Sequence, residues 1–280
     1  NSVTDDDNNK GLSRAMVKYL IASAKVVFIH PNQSLNDCIR VLEDWKIRNE
    51  YIRNARDVYG YECRIFDTLR ELNKTDGDGA IIGTNTRLIE GVMNRIDILE
   101  ENPRLQLMLN ATSDSHNFKK YMNEGNAVYI RLPQTHFKDP ETVDVIATYF
   151  MTRIRLASIQ RSKIDRPNIA HIIIDEVAQI PTTASFFSNH ILEMRKFGLA
   201  PLFTMHFLGQ FRKLLDAVKS AGTSYMLLAG LEKENIIALR DELSPFTLEE
   251  FLDLKPFHSL NLITHNNQKS KFITKLPKPL

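Results

Sequence analysis

The chain has 280 residues, 43% hydrophobic and 25% charged, which marks an ordinary globular protein with enough apolar material for a substantial core in one large domain or two smaller ones. Its 36 basic and 34 acidic side chains leave a formal charge of +2, so net charge alone does not mark a nucleic-acid binder. Two cysteines, Cys38 and Cys63, with no CxxC spacing, argue against a disulfide framework or a structural zinc site and point to a reducing, cytoplasmic setting.

From about Gly11 to Tyr121 apolar residues recur at helical intervals, as in Leu35, Ile39, Leu42, Trp45 and Ile52, with Ser34 placed to cap that helix. Further helices are expected over Glu62–Asn73, Thr86–Leu99 and Ser115–Asn123, separated by the turn-rich Lys74–Gly79 and by Asn102-Pro103. Residues 1–124 therefore read as an all-α domain. After Gly125 short apolar strands alternate with amphipathic helices. Strands are expected at Ala127–Leu132, His171–Asp175, Ala200–Met205, Ser224–Ala229 and His258–Thr264. Helices are expected between them at Glu141–Gln160, Ser185–Phe197, Gly209–Lys219 and Lys233–Leu243. This alternation predicts an α/β fold over 125–280, a mostly parallel sheet covered by helices, with ligands at the carboxyl ends of its strands.

Charge is unevenly distributed. Residues 151–166 carry Arg153, Arg155, Arg161, Lys163 and Arg166 against Asp165, and the last thirty residues carry five lysines against Asp253. Either stretch can be a solvated face or a polyanion contact. The apolar run Leu20–Ile29 is too short to span a bilayer and is interrupted by Lys25. The opening NSVTDDDNNK lacks the basic and apolar regions of a secretory signal and has no initiating Met, so a fragment of a longer protein is expected.

The stretch HIIIDEVAQIPTT, His171 to Thr183, ends a β-branched strand in two adjacent acids, Asp175 and Glu176. In nucleotide hydrolases a strand so ended directs one carboxylate to magnesium and the other to the attacking water, with the strand holding both rigidly. The competing structural role is that Asp175 caps the helix near Ser185 or a nearby turn while Glu176 is solvated. No G-x-x-x-x-G-K-[ST] phosphate cradle is present. The nearest approach, Gly77 to Thr84, lacks the lysine and follows a helix instead of a strand, so it reads as a loop.

Several stretches together resemble the ATPase motors of conjugative type IV secretion, coupling proteins included, within the HerA and FtsK superfamily. Asn117–Gly125 followed by Asn126–Leu132 is similar to the helix, glycine and strand that precede their Walker B segment. HIIIDEVAQIP resembles Walker B itself, and MRKFGLAPLFTMHFLGQF the helix and strand that follow. AGTSYMLLAG and KENIIALRDEL resemble the elements near the motor's end, and SLNDCIRVLEDW the helical domain inserted between Walker A and Walker B. The resemblance implies a RecA-like core of the P-loop NTPase type whose phosphate loop lies before Asn1.

It also implies roles. Asp175 matches the magnesium-directed acid, acting through water, and Glu176 the acid that activates water. His206 stands where the family has a γ-phosphate-sensing Gln, with Gln210 a second candidate. Arg195 is a candidate for the arginine that such motors lend to a neighbouring subunit's nucleotide, the alternative being a surface or interface ion-pair residue, and Arg87 and Arg95 are weaker candidates. Implied ligands are ATP and Mg, and implied partners are DNA or a secretion substrate, other copies in a hexameric ring, and membrane secretion machinery reached through regions outside these residues, at the cytoplasmic face. The chain alone is expected to hydrolyse ATP negligibly. The alternative is a degenerate ATPase-like assembly or interaction module; a different α/β enzyme using the two acids lacks a partner nucleophile.

Overall fold

The structure, a computed structural model, describes residues 14–113, 115–137, 140–161, 167–206, 208, 212–230, 233–265 and 268–277. The chain divides into two compact units, Asn1–His116 and Asn117–Leu280.

The first unit opens with helices α1 (Arg14–Val27), α2 (Leu35–Glu43), α3 (Trp45–Asn54), α4 (Arg56–Tyr59) and α5 (Arg64–Arg70). Ser34 does cap α2, in a reciprocal box. Its hydroxyl accepts from the Asp37 amide at 3.3 Å, and the Asp37 carboxylate accepts from the Ser34 amide at 2.8 Å. The single apolar stripe from Leu35 to Ile52 is split at Asp44, whose extended backbone ends α2 and whose carboxylate accepts from the Lys46 amide at 2.7 Å to start α3. Arg48, fully buried, repairs the break. Its Nη1 donates to the Val41 and Leu42 carbonyls at 3.0 and 2.9 Å, and its Nη2 to Asn73 Oδ1 at 2.9 Å and Thr84 Oγ1 at 3.1 Å. Burial pulls this guanidinium down to about 10, which still leaves it charged at neutral pH.

Asn73 and Thr84 belong to an antiparallel hairpin, β1 (Asn73–Thr75) and β2 (Ile81–Thr84), so the expectation of an all-helical first domain is corrected. The Asp76 carboxylate closes its turn, accepting from the Asp78 and Ala80 amides at 3.1 and 2.8 Å. Helices α6 (Glu90–Glu100) and α7 (Pro103–Leu109) complete the unit, whose core gathers Val26, Val41, Leu42, Ile52, Phe66 and Leu69.

The second unit runs α8 (Phe118–Glu124), α9 (Pro140–Gln160), β3 (Ala170–Ile174), α10 (Pro181–Met194), β4 (Leu199–Phe203), α11 (Arg212–Ser220), β5 (Tyr225–Leu228), α12 (Lys233–Ala238), α13 (Arg240–Leu243), α14 (Leu248–Leu252), β6 (His258–His265) and β7 (Gln268–Lys275). β3 and β4 pair in parallel, with Ala170 opposite Leu199 and Ile174 opposite Phe203. β5, β6 and β7 form a separate antiparallel sheet in that order. Among the described residues the expected single, mostly parallel sheet is therefore replaced by a parallel pair and an antiparallel triplet. β7 begins three residues after β6 ends and pairs with it antiparallel, as a strand that follows its neighbour so closely must. The strand expected at Ala127–Leu132 does not form. The stretch carries no ladder, and Tyr129 is 88% exposed; a segment without a bonded neighbour is not a strand.

One face of the β3–β4 pair is buried against α9 and α10 through Ile172, Leu199, Met151, Ile154, Phe187 and Met194. Among the described residues of the unit nothing covers the other face, where Ile173 is 71% and Leu202 51% exposed. Parallel sheets are ordinarily covered on both faces, so this half-dressed pair is the least self-sufficient part of the unit. Among the described residues no helix is long and apolar enough to cross a membrane.

Candidate functional site

Asp175 and Glu176 follow the last residue of β3, and Thr204 to His206 follow the last residue of β4. Because the two strands are parallel and in register, both groups emerge at the same edge. The ladder continues past the strands: the Thr204 amide donates to the Ile174 carbonyl at 3.0 Å, and the Val177 amide donates to the Thr204 carbonyl at 3.2 Å. The chain between must reverse in two residues, and it does so by placing Glu176 in the left-handed region at φ 48, ψ 56. For a residue with a Cβ that conformation costs about 1–2 kcal/mol.

Thr204 holds it. Its hydroxyl accepts from the Glu176 amide at 2.9 Å and donates to Asp175 Oδ1, so one side chain brackets both acids. The Glu176 carboxylate is gripped from two further sides. Gln179 donates to Oε2, and His206 Nε2 lies 3.2 Å from Oε1. The His206 side chain is 76% exposed and that of Glu176 40%, so solvent screens this contact. The second oxygen of Asp175 faces outward without a protein partner among the described residues.

The alternative role for Asp175, capping the helix that follows, is filled by another residue. α10 begins with Pro181 at its first position, and its next two amides, of Thr182 and Thr183, donate to the buried Asp144 carboxylate of α9 at 2.7 and 3.0 Å. Asp175 therefore does not cap α10.

The donor set decides what the edge can hold. Among the described residues no group of three or more His, Cys, Asp or Glu can cage a metal. One carboxylate oxygen beside a hydroxyl suits a hard cation that keeps its waters and takes its remaining ligands from phosphate, which is the habit of Mg²⁺ and not of zinc.

The other candidates are scattered. Arg195 lies before β4, at the opposite end of the strand from Thr204, and is exposed, so it is not gathered with the acids of its own chain. Gln210 lies outside the described residues, as does the side chain of Arg95. Arg87 sits in the first unit, lining a cleft with Glu43, Glu90 and Asp97. The basic segment does structural work. Arg155 pairs with Glu193 at 3.3 Å, and Arg161 is buried, donating to Asn123 Oδ1 at 2.9 Å and to the Asn168 carbonyl at 2.5 Å. Residues 162–166 lie outside the described residues. Sequence reasoning missed Thr204 and Gln179; the only trace of Thr204 was a hydroxyl at the end of the next strand.

No family model matches the chain, and no curated protein matches it. Among solved structures it is similar to the plasmid coupling protein TrwB, in complex with the non-hydrolysable GTP analogue GDPNP. The TM-score is 0.49 at 11% identity, over 96% of this chain and 69% of that one.

Proposed function

We propose that the second unit is part of a nucleotide-driven motor for DNA or protein translocation in conjugation or type IV secretion, and that it supplies the acids of the hydrolytic site. The observation that carries this reading is the convergence of Asp175, Glu176, Thr204 and His206 at the carboxyl edge of a parallel strand pair. The motif resemblance of HIIIDEVAQIP to Walker B supports it independently.

In this reading Asp175 holds Mg²⁺ through its waters, and Glu176 orients and deprotonates the attacking water. Bound Mg²⁺ would supply charge neutralisation of the phosphates. Thr204 keeps the two carboxylates apart and aimed, and His206 offers a donor beside Glu176 at the position where the γ-phosphate is sensed. The phosphates themselves are held by a segment outside these residues. Arg195 acts on a neighbouring copy's nucleotide in a ring, hexameric in the family the motifs resemble, and the ring works at the cytoplasmic face with membrane secretion machinery.

Complete with a phosphate cradle, the motor is expected to hydrolyse ATP. Glu176→Gln should lower kcat by roughly 10²–10³-fold while Mg·ATP still binds, and Asp175→Asn should raise the magnesium concentration needed for half-maximal turnover. The 280-residue chain alone should show background turnover. Robust turnover by it would refute the external phosphate cradle, and full activity in Glu176→Gln would remove that residue from catalysis.

A second reading, a non-catalytic assembly module, is favoured by the bare apolar face of β3–β4 at Ile173 and Leu202. Absence of turnover even with a phosphate-binding segment supplied, unchanged by either acid substitution, would support it.

A further inference from the structure

Helix α1 has two apolar faces, and the first unit uses one of them. Tyr19, Ala22, Val26 and Val27 are buried in the core of that unit, and the Ser23 hydroxyl beside them donates to the Cys38 carbonyl of α2 at 2.9 Å. On the outward side Val17, Ile21, Ala24 and Phe28 follow at intervals of four, three and four residues. Val17 is 37%, Ile21 51% and Phe28 50% exposed, so the described residues leave this second stripe open to solvent. Phe28 lies just past the end of α1, but its amide donates to the Ala24 carbonyl at 2.9 Å, and the last turn carries it onto the same line.

Spacing and charge together define what fits there. Alternating steps of four and three keep the side chains in one narrow line, which is the seam of a two-helix coiled coil with residues at successive d and a positions. Lys18 and Lys25 directly follow the two d residues, Val17 and Ala24, and so fall at the e positions that flank such a seam. α1 contains no acid to neutralise them. Lys18 meets Glu71, beyond α5, at 2.6 Å across a contact that solvent screens, and Lys25 is exposed with no side-chain partner among the described residues. The opposite flank, Leu20 and Val27, turns into the unit's own core.

A second copy of α1 does not answer this pattern. Antiparallel pairing sets lysine flank against lysine flank, and parallel pairing sets it against Leu20 and Val27, which are committed to the core. A bilayer does not match it either. A helix lying in a lipid interface buries a wide apolar face, whereas this stripe is a single line with charge on one side and the unit's own core on the other. We infer that α1 docks one amphipathic helix of another protein, with large apolar residues at its own a and d positions and Glu or Asp in the flank that meets Lys18 and Lys25. The apolar line supplies the contact, and the two lysines select the charge of the partner's flank. This inference does not rest on the acids at β3.

Fluorescence anisotropy of two labelled helical peptides against the 280-residue chain tests it. Both peptides carry Leu at a and d, and their flanking positions are all Glu in one and all Lys in the other. The acidic peptide is expected to bind roughly tenfold more tightly than the basic one, with the difference shrinking as salt is added. Ile21→Asp, at a half-exposed side chain, should weaken the acidic peptide by roughly tenfold or more. Lys25→Glu should weaken the acidic peptide roughly fivefold and strengthen the basic one. The inference is overturned if neither peptide binds, if both bind alike, or if variants that keep the wild-type circular dichroism leave the affinity for the acidic peptide unchanged. Sedimentation reads the other occupants, and each overturns it. Self-association that Ile21→Asp abolishes assigns the stripe to a second copy, and pelleting with phosphatidylglycerol vesicles that Ile21→Asp abolishes assigns it to a lipid surface.

Discussion

Thr204 lies two residues before the histidine that the motif resemblance singled out, yet it makes the contacts that shape the site. Its hydroxyl is both acceptor for the Glu176 amide and donor to Asp175, and it offsets the cost of a left-handed Glu176. Thr204→Val keeps the shape and removes both bonds. Because Thr204 is exposed, unfolding stability should change by no more than about 1 kcal/mol. In the proposed motor, complete with a phosphate cradle, ATP turnover should fall roughly tenfold, and Thr204→Ser should restore most of it. Equal turnover in the two variants would show that the hydroxyl does not position the acids. The acids were legible in the sequence because a β-branched run ending in two carboxylates is a local pattern. Thr204 was not, since its partners lie 28 and 29 residues away and depend on the register of two strands.

Asp144 shows the same limit at the scale of elements. It lies in the second turn of α9, yet it caps α10 by taking the Thr182 and Thr183 amides, and Thr183 Oγ1 adds a bond at 3.1 Å. A buried carboxylate at a helix N-terminus also meets the positive end of the helix dipole. Asp144→Ala should destabilise the second unit by about 2 kcal/mol in urea unfolding, with Asp144→Asn recovering part of the loss. Unaltered stability in the alanine variant would mean that water replaces the cap. Helix periodicity located most of the helices, but not the break at Asp44, where a side-chain cap interrupts an apolar stripe that continues on both sides. The strand at Ala127–Leu132 failed for the opposite reason. Its composition fits a strand, but no neighbour pairs with it. β7 went unnoticed because its alternation, Gln268 to Lys275, carries few large apolar residues; the Asn266-Asn267 pair between two alternating runs was the available hairpin signal.

At the scale of the whole molecule, each unit has its own core. The cluster around Val26, Leu42, Phe66 and Leu69 draws only on the first unit, and those around Phe187 and Leu260 only on the second. A chain of residues 14–116 alone is expected to keep its helical circular dichroism and to melt cooperatively, because Arg48, the α2 capping box and the β1–β2 hairpin are all internal to it. A broad, non-cooperative melt would show that the first unit depends on the rest of the chain. Composition and periodicity by themselves determined that the protein is globular, helical first and α/β later, with two acids at a strand end, since these features follow from local spacing and intrinsic preference. Only the tertiary structure decided that the strands divide into a parallel pair and an antiparallel triplet, that Asp144 caps α10 in place of Asp175, and that Thr204 brackets the acids. Those outcomes depend on which backbone groups find a partner across tens of residues, and no local pattern carries that information.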